Sequence, residues 1–154
     1  MKKWFSVLLG LILLFSLAAC GSKATKQADL SKVMDNMKAK LTNTEMMDLT
    51  KDDLMASYGI DANDVKQLAI YVDSTGVKGD EIVLLEGKDA DAAKRIKEKM
   101  DARYQQKEVE MKDYLPEEYA ILKKCPVKQD GNYVSMIVSP QYEELNKIYN
   151  DAIQ

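Results

Sequence analysis

Apolar residues recur at helical spacing near the start of the chain, at Leu30, Val33, Met34, Met37 and Leu41. They predict an amphipathic helix over about 29–41. Thr50 followed three residues on by Asp53 has the form of a helix cap, and a short helix over 52–58 should stop at Gly59. The period then changes. Residues 67–73 are short, apolar and rich in β-formers (Ile70, Tyr71, Val72), and 80–86 repeat this with Ile82, Val83 and Leu84. The segment Asp73-Ser74-Thr75-Gly76-Val77-Lys78-Gly79 between them predicts a hairpin connection.

Asp89 can cap a long helix, with Asp91 favourable in its first turn. Its inner stripe is Ala93, Ile96, Met100, Tyr104, Met111 and Leu115, although 105–110 is weakly apolar. Pro116 cannot continue this helix without losing a hydrogen bond, so the chain bends there and a short helix restarts over 117–123. Strands over 126–128 and 133–138 follow, joined across Gln129-Asp130-Gly131-Asn132. Ser139-Pro140 with Glu143 and Glu144 opens a final helix that buries Tyr142, Leu145, Ile148, Tyr149 and Ala152.

This order predicts an α+β domain over 29–154: an antiparallel sheet of about four strands in two hairpins. The long helix and the C-terminal helix should pack on one face, with the N-terminal helices preceding them. No internal repeat is strong enough to name.

Ahead of this domain, Lys2 and Lys3 precede an apolar stretch from Trp4 to Phe15, shorter than the roughly 20 residues of a transmembrane helix. Small residues then lead into Leu17-Ala18-Ala19-Cys20. A basic end followed by a short apolar run is the order a secretory leader needs. The tetrapeptide resembles the bacterial lipobox. That resemblance implies a signal peptide over 1–19, cleavage between Ala19 and Cys20, and diacylglycerol on the Cys20 sulfur. Residues 20–28 then form the lipidated cysteine and a tether. Seven extended residues reach at most about 25 Å, which keeps the domain close to the membrane.

Charge narrows the partners. The chain has 22 basic and 25 acidic residues, and without Lys2 and Lys3 the balance is 20 against 25. An acidic domain argues against nucleic acid. With Cys20 lipidated, Cys125 has no partner for an intrachain disulfide, and beside Pro126 and Val127 it reads as a small buried residue. The domain has tyrosines as its only aromatic residues, which weakens a Trp-platform sugar site.

The chain has no histidine, which removes Ser–His and Cys–His nucleophile pairs and the common zinc sites. No Cys-x-x-Cys, phosphate-binding glycine loop or Ser-x-x-Lys motif is present. Gly76 and Gly79 fit a turn better than a phosphate site. The carboxylate pairs Asp61/Asp64, Asp89/Asp91, Glu117/Glu118 and Glu143/Glu144 read as helix starts and loops, and the ligand pattern of a calcium hand fails at Val65. Met34, Met37, Met46, Met47 and Met55 carry soft thioethers suited to Cu(I), but core filling is the commoner use. No catalytic residue, cofactor or metal is expected.

The segment 80–137 resembles an uncharacterised family of small lipoproteins, mainly Gram-positive, classed as a domain of unknown function. The resemblance is carried by Asp80-Glu81-Ile82, the long charged helix, Asp113-Tyr114-Leu115-Pro116-Glu117-Glu118-Tyr119 and Gly131-Asn132-Tyr133-Val134. It implies an envelope lipoprotein without assigned activity. The expectation is a non-enzymatic binding or interaction module on the outer face of the cell membrane, held by lipid at Cys20, with an envelope protein or a small ligand as partner. Tyr114, Leu115, Pro116 and Tyr119 form the candidate contact surface. The competing readings are an envelope hydrolase using paired carboxylates and a structural or assembly lipoprotein.

Overall fold

The computed structural model describes residues 25–154; the leader over 1–19, Cys20 and tether residues 21–24 lie outside this range. Five strands form one antiparallel sheet: β1 (Met46–Leu49), β2 (Val65–Asp73), β3 (Glu81–Gly87), β4 (Lys128–Asp130) and β5 (Tyr133–Val138). Their order is β1-β2-β3-β5-β4, so the two expected hairpins, β2–β3 and β4–β5, join through pairing of β3 with β5. Five α-helices surround the sheet: α1 (Leu30–Lys38), α2 (Leu54–Tyr58), α3 (Ala90–Lys112), α4 (Pro116–Leu122) and α5 (Tyr142–Ile153). No helix among the described residues is long and apolar enough to cross a membrane.

The α+β class, the antiparallel sheet, the long helix and the terminal helix are as the sequence predicts. Two details differ. β1 is a fifth strand, paired with β2 at the sheet edge. The helices also cover both faces instead of one. Val83 and Leu85 of β3 point into a core with α2, α3 and α4, while Ile82 and Leu84 point into a second core with α1 and α5. Every residue of β3 and β5 is buried. A strand covered on one side alternates apolar with polar residues, whereas one covered on both sides reads as a continuous apolar run. Each fully buried aliphatic side chain contributes about 1.5–3 kcal/mol, so the second layer is a large part of the stability.

Local signals place the helix ends. Asp29 caps α1 by accepting from the Ser31 and Lys32 amides, and Asp89 caps α3 by accepting from the Ala92 amide at 2.7 Å. Thr50 and Asp53 bond reciprocally, and Gly59 ends α2 in the left-handed region at φ 64°. Pro116 stands in the first turn of α4.

The residues after Thr25 lie along the domain. The Lys26 amide donates to the Ile153 carbonyl, and buried Ala28 donates to the Tyr133 hydroxyl. Thr25 itself sits beside Gly131 in the β4–β5 turn. The chain therefore enters the domain at the end of the sheet where β3 finishes and β5 begins.

Candidate functional site

At the opposite end of β3 the β2–β3 hairpin, α2 and α3 enclose a cleft of about 540 Å³. Asp73 shapes the hairpin: its Oδ2 accepts from the Thr75 and Gly76 amides at 3.1 and 2.7 Å and from the Thr75 hydroxyl at 2.6 Å. Gly76 adopts φ 74°, the left-handed turn that an L side chain resists. The Gly79 amide donates to Glu118 Oε2 at 2.8 Å, which pins the returning strand under the α3–α4 corner.

The floor of the cleft carries charge. Glu81 opens β3 in phase with Val83 and Leu85, so its side chain enters the core on the α3 side. Arg103 grips it through Nε to Oε1 at 3.1 Å and Nη2 to Oε2 at 2.8 Å, and Lys107 Nζ reaches Oε2 at 2.8 Å. The Glu81 and Lys107 side chains are only 4% and 6% exposed. Burial alone would push the Glu81 carboxyl up, but the Arg103 and Lys107 bonds and charges outweigh it and hold the group below the ordinary range. Tyr58 of α2 stands beside Glu81, and burial together with that negative charge drives its phenol far above the usual value.

Asp80 is different. It is 5% exposed, and its Oδ1 has no hydrogen-bond partner among the described residues. Burial pushes its carboxyl up and the charge of Glu118 adds to the rise; Asn43 and Lys78 oppose it, and Asp73 adds a little more. The rest of the lining is mixed: Leu49, Val72, Met111 and Leu115 are apolar, Ser57, Asp73 and Lys78 are polar, and Glu110 stands at the exposed rim bonded to Gln106.

The Asp80 environment makes a stability prediction. Above its raised pKa the folded state carries a buried, poorly partnered charge that the unfolded chain does not. As pH falls through that raised value the folded protein takes up a proton, and stability rises until the unfolded carboxyl also protonates near its ordinary value of 3.8. Asp80→Asn should therefore stabilise the protein at pH 7 by about 1 kcal/mol, or about 3–5 °C in Tm. Thermal unfolding from pH 4 to 8 checks this: the gap should close towards acid, and a gap independent of pH would contradict it.

Of the contact residues singled out from the sequence, Leu115 reaches the cleft and Tyr114, Pro116 and Tyr119 fall elsewhere. Tyr114 is 83% exposed and Pro116 is exposed, whereas Leu115 and Tyr119 are half-buried against the α3 core; Tyr114, Leu115 and Pro116 line one open pocket with Val77. Cys125 is buried, with Sγ 3.2 Å from the Ile121 carbonyl, and burial raises its thiol pKa. Of the methionines, Met34 and Met37 fill the α1 core while Met47 and Met55 are exposed, so these thioethers do not converge. Among the described residues, no three acidic or cysteine side chains are grouped to hold a metal ion.

Sequence reasoning missed Glu81, Arg103 and Lys107. The signal was present: Lys107 lies seven residues after Met100 and four before Met111, on the inner stripe of α3. A lysine at that phase calls for a buried carboxylate, and Glu81 sits at the matching phase of β3.

No curated protein and no solved structure matches the chain. A family model described as a domain of unknown function matches residues 39–139, from β1 through β5, and so includes every residue that lines the cleft. By that match the chain belongs to the DUF4358 family.

Proposed function

We propose that this protein is a lipid-anchored, extracytoplasmic module that binds a small ligand in the cleft between the β2–β3 hairpin and α3. The observation that carries the reading is the cleft itself: a concave site that sets Leu49, Val72, Met111 and Leu115 beside cationic groups held in place on Glu81. A concavity with polar groups fixed beside apolar side chains is what small-molecule sites have in common. Both oxygens of Glu81, the buried carboxylate of the floor, are engaged by its two cations. Binding is the chemistry this arrangement supports.

The anchor reading rests on Leu17-Ala18-Ala19-Cys20, and the domain geometry suits it. Thr25 lies at the Gly87–Gly131 end of the sheet and the cleft at the Glu81 end, six residues of β3 away, which is about 20 Å at the usual strand rise. A chain held at Cys20 would then present the cleft away from the bilayer. Two acyl chains hold a protein far more firmly than one, so Cys20→Ser should shift it from the membrane fraction to the soluble one.

Methionine-methyl NMR of the full chain in lipid nanodiscs tests the binding. Met111 lines the cleft, and Met34 and Met37 lie in the core on the other face of the sheet. Amino acids with short peptides, sugars, nucleosides and organic acids are titrated as separate classes at millimolar concentration. At least one class should move the Met111 methyl and leave Met34 and Met37 in place. If none does, the cleft is not a ligand site.

A further inference from the structure

Arg103 and Lys107 bring two positive charges to one carboxylate, so the floor of the cleft keeps one positive charge in excess. Arg103 holds Glu81 with the Nε–Nη2 edge of its guanidinium. The other edge, Nη1 with the second Nη2 hydrogen, has no acceptor among the described residues, and the side chain lines the cleft and is 24% exposed. That edge presents two parallel N–H donors, the shape that a second carboxylate fits. Lys107 gives Glu81 one of its three ammonium hydrogens and adds its charge from an almost wholly buried position. The other carboxylates of the lining do not take the free edge. Asp73 is bonded into the hairpin through the Thr75 and Gly76 amides. Asp80 precedes Glu81 and by the pleat turns to the opposite face of the sheet, where its Oδ1 is buried. Glu110 is bonded to Gln106 and acts on Arg103 through its charge.

Apolar lining lies within one small molecule's length of these cations. Val72 is the β2 partner directly opposite Glu81, and such pairs stand about 5 Å apart on one face of a sheet. Arg103, Lys107 and Met111 follow one another at four-residue intervals on one face of α3, so Met111 lies about 6 Å along the axis beyond Lys107. We infer that the cleft takes an organic anion with one carboxylate on an apolar frame, the carboxylate on the free edge of Arg103 and the frame against Val72 and Met111. A free acid and the carboxyl end of an acylated amino acid or peptide share this chemistry. A sugar leaves the excess charge unanswered. A free amino acid sets its ammonium beside Arg103 and Lys107, which disfavours it.

This inference rests on the cleft being a binding site, and the same methyl NMR experiment separates the two claims. The probes are isocaproate and N-acetylleucine, which carry the same branched arm on a free acid and on a peptide-like end. Their neutral amides, acetate and leucine are the controls. At least one of the two acids should move the Met111 methyl and leave Met34 and Met37 in place, and the tighter of them tells a free acid from a peptide end. Both amides should bind about tenfold or more weakly, the loss expected when hydrogen bonds to a charged group disappear. Acetate, which has no arm, and leucine should also bind more weakly than the better acid. Arg103→Lys keeps the charge beside Glu81 but lacks the planar fork, so it should weaken the acids about tenfold and leave the Met34 and Met37 methyls unmoved. Amides that bind as tightly as the acids would overturn the carboxylate, a comparison made on the parent protein that needs no variant to fold. Leucine binding more tightly than both acids, or Met111 moved only by sugars or nucleosides, would overturn the ligand class while the cleft reading stands. No movement by any class overturns both.

Discussion

Glu81→Gln is expected to cost about 3–5 kcal/mol of folding stability, because it keeps the shape of the side chain and removes its charge. Arg103 and Lys107 would then face each other at the base of the cleft without a counterion, and Lys107 has little solvent to turn to. A buried ion pair is weak evidence for stability as a pair, since desolvation offsets much of the attraction, but breaking one leaves an uncompensated charge. The control is therefore as informative as the variant. A triple replacement, Glu81→Leu with Arg103→Met and Lys107→Met, should recover most of the loss or exceed the parent, because apolar groups of similar volume need no partner. Urea unfolding with unchanged m-value measures both. A Glu81→Gln protein within about 0.5 kcal/mol of the parent would show that the cations find other partners.

Both outcomes bear on the cleft. If the triple variant is stable, the charges are not needed to hold α3 on the sheet, and their retention belongs with recognition instead. The site would then cost the folded state something, which is the usual relation between binding surfaces and stability.

Much of the architecture was readable because single residues acted locally. Asp29, Asp89 and Gly59 mark helix ends where they are expected, and Pro116 separates α3 from α4. What was missed lies in longer-range physics. β1 is four residues, Met-Met-Asp-Leu, half exposed and poor in β-branched residues, so its strand state comes from pairing with β2 rather than from propensity. Helices on both faces were implied by the unbroken run Ile82-Val83-Leu84-Leu85, which leaves no polar face for solvent. The ion triad was half legible. Lys107 on the apolar stripe of α3 could be seen as out of place, but its carboxylate is 26 residues away on another element, and only the register of β3 against α3 joins them. The orphan oxygen of Asp80 could not be read from the sequence, because it depends on which neighbours the hairpin and α4 bring near it.

The second large effect comes from that same packing of α3 on β3. Gly87 ends β3, and a Cβ placed there would lie 2.6 Å from the Ala93 amide nitrogen and 2.8 Å from its Cα. These are backbone atoms of the second turn of α3, and they cannot rotate away. The helix start is also tied down on several sides. The Ala93 amide donates to the Asp89 carbonyl, the Lys88 amide donates to the Asp64 carbonyl, and Arg95 grips Asp64 with two bonds at 2.7 and 2.8 Å. Gly87→Ala must therefore lift α3 from the sheet, and overpacking of this kind costs about 1–3 kcal/mol, here towards the upper end. Gly76→Ala separates the steric cause from glycine's backbone freedom. Its Cβ meets nothing within 4 Å, and its cost of about 1–2 kcal/mol comes only from the left-handed φ of 74°. The two variants should also differ in the cleft. Displacing α3 moves Arg103, Lys107 and Met111 together, so Gly87→Ala should shift the Met111 methyl resonance and weaken any ligand that Met111 reports. Gly76→Ala should alter the hairpin tip and leave the triad bonds in place. Equal stability losses, with the Met111 methyl unmoved in both, would mean that α3 can slide along the sheet without disturbing the cations it carries.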